Sequence, residues 1–177
     1  MDAWDKLRAE ILLKAVIHGK VTLSSGKTSN YYIDLRRITL DPVASSLVGQ
    51  VMLQVTKNLQ YEAVGGLTLG ADPVALAMMH VANYKGRLIN SFVVRKSEKN
   101  HGLQRRIEGP DVKGKKVLAI EDTSTTGDSV LYAVETLRNA GALVVGVAVL
   151  VDRGAREKIE QSSLKYYSAF NLNDLGL

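Results

Sequence analysis

The chain has 177 residues, 46% apolar and 23% charged, with 23 basic against 18 acidic side chains and a formal net charge of +5. This length favours one domain, residues 1–177, with a full core. The absence of cysteine excludes disulfides and thiolate zinc sites, no apolar run reaches the ~18 residues of a transmembrane helix, and Met1-Asp2-Ala3-Trp4-Asp5 is too acidic to open a signal peptide, so a cytoplasmic protein without a membrane partner is expected.

Residues 5–18 read as an amphipathic helix, with Leu7, Ile11, Leu12, Ala15 and Val16 on one side and Gly19 as its stop. Two strand-like runs follow at 21–23 and 31–35. The polar Ser24-Ser25-Gly26-Lys27-Thr28-Ser29-Asn30 joins them as a long hairpin loop. Ser25-Gly26-Lys27-Thr28 imitates the end of a Walker loop, but Val21 stands where the first glycine belongs and no helix follows, which excludes that motif. Asp41-Pro42 opens a long helix with Asp41 as N-cap and apolar positions from Val43 to Leu59. Residues 63–67 form a short buried strand, then comes the small-residue loop Thr68-Leu69-Gly70-Ala71 and a helix from Asp72-Pro73. Gly65, Gly66 and Gly70 lack the spacing of a dinucleotide fingerprint.

Residues 88–94 are the next strand, and an irregular polar stretch follows to about Gly114. A structureless loop of that length is uncommon unless it works. Between Arg95 and Arg106 five cations face only Glu98, a local net charge of +4, which suits a compact polyanion better than a long nucleic-acid track.

The centre of the chain is Val117-Leu118-Ala119-Ile120-Glu121-Asp122-Thr123-Ser124-Thr125-Thr126-Gly127-Asp128-Ser129. Four apolar residues form a buried strand, two carboxylates follow at its end, and a hydroxyl-rich loop leads into a helix carrying Val130, Leu131, Val134 and Leu137. A loop that ends at a helix N-terminus is an anion site. The carboxylates can accept hydrogen bonds from a sugar diol and help hold a hard cation. Asp128 would repel a phosphate, so its side chain is expected to turn away and cap the helix. Residues 143–151 are a further buried parallel strand with Asp152-Arg153-Gly154 at its C-terminal end, and the tail adds a helical stretch and a strand near 164–170. Strands and helices alternate through 60–151, the pattern of an α/β protein with a parallel sheet covered by helices on both faces.

Residues 117–129 resemble the phosphoribosyl pyrophosphate (PRPP) motif of the type I phosphoribosyltransferases. Leu23-Ser24-Ser25-Gly26-Lys27-Thr28-Ser29-Asn30-Tyr31-Tyr32 and Arg95-Lys96-Ser97-Glu98-Lys99-Asn100-His101-Gly102 resemble the substrate loop and the mobile catalytic loop of the orotate phosphoribosyltransferase family, with Arg153 as a fourth point of likeness. Relatives often carry lysine at the place of Ser24 and proline at that of Asn30. This chain has neither, and Lys27 is the candidate replacement for the lysine.

The resemblance implies the type I phosphoribosyltransferase fold: a parallel doubly wound sheet flanked by helices, with a small N-terminal hood from 1–40, a core sheet from 60–151 and a catalytic loop at 95–110. It implies transfer of a phosphoribosyl group from PRPP to N1 of orotate, with Mg2+ bound mainly through PRPP near Glu121 and Asp122. On it, Arg95, Lys96, Lys99 and His101 contact the pyrophosphate. Glu121 and Asp122 hold the ribose, and Thr123, Ser124, Thr125, Thr126, Gly127, Asp128 and Ser129 surround the 5′-phosphate. Thr125, Arg153, Lys27, Tyr31 and Tyr32 take orotate, and Lys99, Asp122 and Glu121 are the catalytic set. It further implies a homodimer that shares the 95–102 loop across its interface. No nucleic-acid partner is expected, because the excess positive charge lies mostly in one loop. Tyr31 and Tyr32 also fit plain strand packing, and Asp152-Arg153 a surface turn. Two alternatives keep the PRPP motif: a transferase for another base, and a PRPP-sensing regulator that binds nucleic acid.

Overall fold

The computed structural model describes residues 1–22, 28–96 and 106–177. Helix α1 (Ala3–Glu10) starts at Asp2, whose side chain accepts from the Asp5 N–H. Leu7, Ile11 and Ala15 are fully buried, as their spacing predicts. The helix does not reach residue 18, however. Its last turn, Ile11–Ala15, is π-helical, and the chain becomes extended in β1 (Val16–Thr22). The β-branched Val16 and Ile17 favour that exit. Gly19, expected as a helix stop, lies inside β1 at the bulge between His18 and Val21. β1 pairs antiparallel with β2 (Thr28–Ile33), so the hairpin of the hood is present but longer than the sequence runs suggested.

A short helix, α2 (Arg36–Thr39), precedes α3 (Ala44–Val55). Asp41 does serve as the cap before α3: its Oδ1 accepts from the N–H groups of Val43 and Ala44, both at 2.9 Å. Val48, Val51 and Met52 are buried, whereas Val43 is largely exposed. The alternating part of the chain then gives β3 (Ala63–Leu67), α4 (Ala71–Tyr84), β4 (Asn90–Val94), β5 (Ile107–Glu108), β6 (Lys116–Ser124), α5 (Asp128–Asn139), β7 (Leu143–Asp152), α6 (Arg156–Gln161) and β8 (Tyr166–Asn171).

Among the described residues the main sheet has the order β5-β4-β3-β6-β7-β8. Neighbours are parallel except β5, which runs antiparallel to β4 at the edge. The sheet is therefore mixed, and the polar stretch after residue 95 is not wholly irregular: Val94 pairs with Ile107 and Val93 with Glu108. The apolar runs of β6 and β7 are buried on both faces, and alternation divides them cleanly. Leu118, Ile120, Ala148 and Leu150 join the core under α1, α3 and α4. Val117, Ala119, Val147 and Val149 join the core under α5 and α6. This is the two-faced α/β architecture that the sequence pattern implied. It also brings the C-terminal ends of β3, β4, β6 and β7 to one edge, the side on which such sheets hold ligands.

Candidate active site

β6 continues past its apolar run. Thr123 pairs with Val151 and Ser124 with Asp152, so Glu121 and Asp122 are still strand residues and do not follow the strand as expected. The extension holds the two carboxylates on a rigid element. Asp122 Oδ1 accepts from the Thr123 N–H at 2.8 Å. The β3–α4 loop comes so close that a Cβ placed on Gly70 would lie 2.5 Å from Asp122 Oδ1, so a side chain there would have to displace the carboxylate or the loop.

Burial pushes the Glu121 carboxyl up to about 7, the neighbouring Asp122 charge adds to the rise, and the Ser124 and Ser129 hydroxyls oppose it. Glu121 Oε2 is buried without a hydrogen-bond partner among the described residues. Burial also raises Asp122, against its backbone hydrogen bond and the attraction of Arg36. Two desolvated carboxylates, one with an unused oxygen, are poised for hydroxyl donors or a cation.

The loop after β6 turns at Gly127, with φ 80°, and a Cβ there would also approach Ile159 to 3.2 Å. α5 starts directly afterwards with no cap from its N-cap residue Gly127, and of its first turn the Asp128 N–H reaches Thr126 Oγ1 at a long 3.4 Å. Asp128 does not cap the helix. Its carboxylate turns outward to Lys158 and accepts from Thr126 Oγ1 at 2.7 Å. Lys158 holds that carboxyl below its ordinary value. Thr123 Oγ1 is buried and unpartnered among the described residues.

A cavity of about 540 Å³ lies between the hood and the sheet edge. Tyr32, Asp34 and Arg36 line it from the hood, Thr68 to Gly70 from the β3–α4 loop, Lys96 from the end of β4, and Glu121, Asp122, Thr123 and Ser129 from the central motif. Within the β3–α4 loop, Thr68 Oγ1 donates to Asp72 Oδ2 at 2.6 Å, while Asp72 Oδ1 is buried and unpartnered among the described residues.

Other sequence candidates lie apart from this cavity. Tyr31 packs against the hood side of the core, opposite in sense to Tyr32 along the strand. Arg95 pairs with Glu108 at 3.3 Å. Arg153 donates its N–H to the Ser124 carbonyl at 2.8 Å, and its Nε is buried without a partner among the described residues. The turn that carries Arg153 is pinned by Asp152, whose Oδ1 accepts from Gly154 and Ala155 at 2.9 and 3.0 Å. Thr125 and Thr126 are exposed on the loop between β6 and α5. Lys27, Lys99 and His101 lie outside the described residues.

Asp34 and Arg36 were not among the sequence candidates. Arg36 Nε donates to Asp34 at 2.9 Å and adds a hood cation that attracts Asp122. The signal was present in the run Tyr32-Ile33-Asp34-Leu35-Arg36, where polar groups alternate with apolar ones immediately after the aromatic pair.

The phosphoribosyl transferase domain family matches residues 57–173. The orotate phosphoribosyltransferase of Streptomyces avermitilis is 59% identical over 179 residues, covering 99% of this chain and 98% of its own. The crystal structure of Mycobacterium tuberculosis orotate phosphoribosyltransferase in complex with Fe(III) dicitrate has a TM-score of 0.91 at 52% identity and covers 99% of this chain and 100% of its own. The structure of the M. tuberculosis enzyme in complex with PRPP gives 0.87 at 48%, covering 99% and 100%. With an adjacent carboxylate pair at the end of β6, an uncapped helix behind it and this degree of likeness along the whole chain, the protein belongs to the orotate phosphoribosyltransferases of the type I phosphoribosyltransferase family.

Proposed function

We propose that the cleft under the hood binds PRPP at three points and presents its C1 to N1 of orotate. The reaction is transfer of the 5-phosphoribosyl group from PRPP to N1 of orotate, giving orotidine 5′-phosphate and pyrophosphate in pyrimidine synthesis. The observation that carries the assignment of parts is the shared cavity of Lys96, Glu121, Asp122, Ser129 and Tyr32. On this reading the 5′-phosphate sits at the N-terminus of α5, in the loop from Thr123 to Ser129. Glu121 and Asp122 accept from the ribose hydroxyls. Lys96 and the β3–α4 loop face the pyrophosphate, joined by Arg95, Lys99 and His101 as the family resemblance implies. Tyr32 flanks the orotate ring, with Thr125, Arg153 and Lys27 assigned to the base by resemblance.

The chemistry follows from charge. The C1–O bond to pyrophosphate breaks, the bonding pair leaves with pyrophosphate, the C1–N1 bond forms, and orotate N1 gives up its proton, which the departing pyrophosphate can take. Positive charge grows on the ribose and negative charge on the leaving group. Carboxylates beside the sugar and cations beside the pyrophosphate stabilise both developments. No side chain has to become a covalent nucleophile. Glu121 and Asp122 offer hard oxygens, one of them unpartnered, that suit Mg2+. Bound there, the ion would neutralise pyrophosphate charge.

The reading extends to a cytoplasmic homodimer that needs no membrane or nucleic-acid partner. No helix among the described residues is long and apolar enough to cross a membrane. An exposed apolar face around Leu40, Leu76 and Tyr84 supports the dimer.

The test is a spectrophotometric assay with PRPP and Mg2+, run with orotate beside uracil, hypoxanthine and adenine. Turnover of orotate alone is expected. Turnover of another base would keep the PRPP site and overturn the assignment of Tyr32 and Arg153 to orotate. PRPP binding with no base consumed would favour a regulator.

A further inference from the structure

We infer that Tyr132 is a positioning residue that sets Lys96 against the phosphate loop through its hydroxyl. Tyr132 lies on α5 three residues after Ser129, so both stand on one face of the helix, one turn apart. Ser129 and Lys96 line the same cleft. The Tyr132 hydroxyl donates to the Lys96 carbonyl at 3.1 Å and accepts from Nη1 of Arg106 at 3.0 Å. A hydroxyl has one proton to give and lone pairs to receive, so both bonds are made at once.

These partners sit at the two stems of the excursion between β4 and β5. Nearby, the Arg95 N–H donates to the Arg106 carbonyl at 2.8 Å, and Arg95 pairs with Glu108 at 3.3 Å. Those ties join the stems only to each other. Tyr132 joins them to the helix whose first turn carries the phosphate loop. The ring itself packs, partly buried, against the core beneath α5, so phenylalanine keeps the packing and removes only the two hydrogen bonds.

The inference rests on the PRPP reading of the cleft. If Lys96 faces the pyrophosphate and α5 faces the 5′-phosphate, Tyr132 fixes the span between the two anionic ends of one substrate while touching neither. Its loss should weaken PRPP and leave orotate alone.

The experiment is Tyr132→Phe, with KM for each substrate, kcat, thermal midpoint, and PRPP binding by calorimetry without orotate. KM and Kd for PRPP are expected to rise about 3- to 10-fold, the usual range for a lost hydrogen bond. KM for orotate and the midpoint are expected to stay at wild-type values. An unchanged KM for PRPP, or equal rises in both KM values with a lowered midpoint, would reduce Tyr132 to a structural tie. Wild-type protein that failed to bind PRPP would bring down the cleft reading and this inference together. Wild-type binding with an unaltered variant would remove Tyr132 alone.

Discussion

Glu121 is the residue whose surroundings differ most from what its sequence neighbours announce. Glu121-Asp122 after an apolar run was recognisable as a ligand-facing pair. The sequence had no way to show that β6 would continue to Ser124 and bury the first carboxyl, because Thr123 and Ser124 are ordinary loop residues until β7 pairs with them. Burial pushes Glu121 from the usual 4.5 to about 7. Between those values the folded protein binds more protons than the unfolded chain. The group therefore adds stability at low pH, and that stability is lost as pH rises through about 7. The amount is on the order of 3 kcal/mol at most. Thermal midpoints of the ligand-free protein between pH 5 and 8 should fall more steeply for wild type than for Glu121→Gln. Parallel curves would mean that Glu121 is not the buried acid. Ligand binding should run the other way. The ionised carboxylate accepts from ribose hydroxyls more strongly than the protonated acid, so PRPP affinity should strengthen as pH rises through about 7.

Elements were legible where periodicity was strong and ambiguous where two periods met. The buried apolar runs of β6 and β7 and the stripe of α5 follow directly from their apolar residues. The first helix was overextended because Val16 continues its stripe, while the same residue is also a good first strand residue. β5 escaped notice because two residues carry no periodic signal and their pairing with β4 is tertiary. The β3–α4 loop shows how element contacts complete the site. Its small residues allow close approach, and the approach seen is to Asp122, whose Oδ1 would lie 2.5 Å from a Cβ on Gly70. That distance is below any real contact, so Gly70→Ala must displace either the loop or the carboxylate. Asp122 is anchored in a strand, and the loop is the softer partner. We expect kcat/KM for PRPP to fall more than about 10-fold, a loss of roughly 1.4 kcal/mol or more in transition-state stabilisation, with little change in thermal midpoint. Wild-type kinetics for Gly70→Ala would show that the loop can move without consequence and that its backbone does not serve the substrate.

For the whole molecule, the surface carries information that the chain order concealed. Leu76, His80 and Tyr84 are spaced by four along α4. Once α4 packs its other face on the sheet, this stripe points outward. Leu76 is 45% exposed, Tyr84 93%, and Leu40 at the end of α2 69%. Together they border a groove of about 620 Å³ between α3 and α4. An apolar face beside a charged catalytic cleft is the expected form of a subunit interface, and about 800 Å² per partner is what a stable one needs. If a second copy covers it, Leu76→Glu combined with Tyr84→Lys should shift the protein from dimer to monomer in sedimentation. The fold should survive, because both positions are open to solvent in the single chain. Orotate turnover should fall in the same preparation if the basic loop after β4 serves the neighbouring cleft, as the family resemblance implies. A monomer with full activity would uncouple assembly from catalysis. A dimer that persists through both substitutions would place the interface on another face of the molecule.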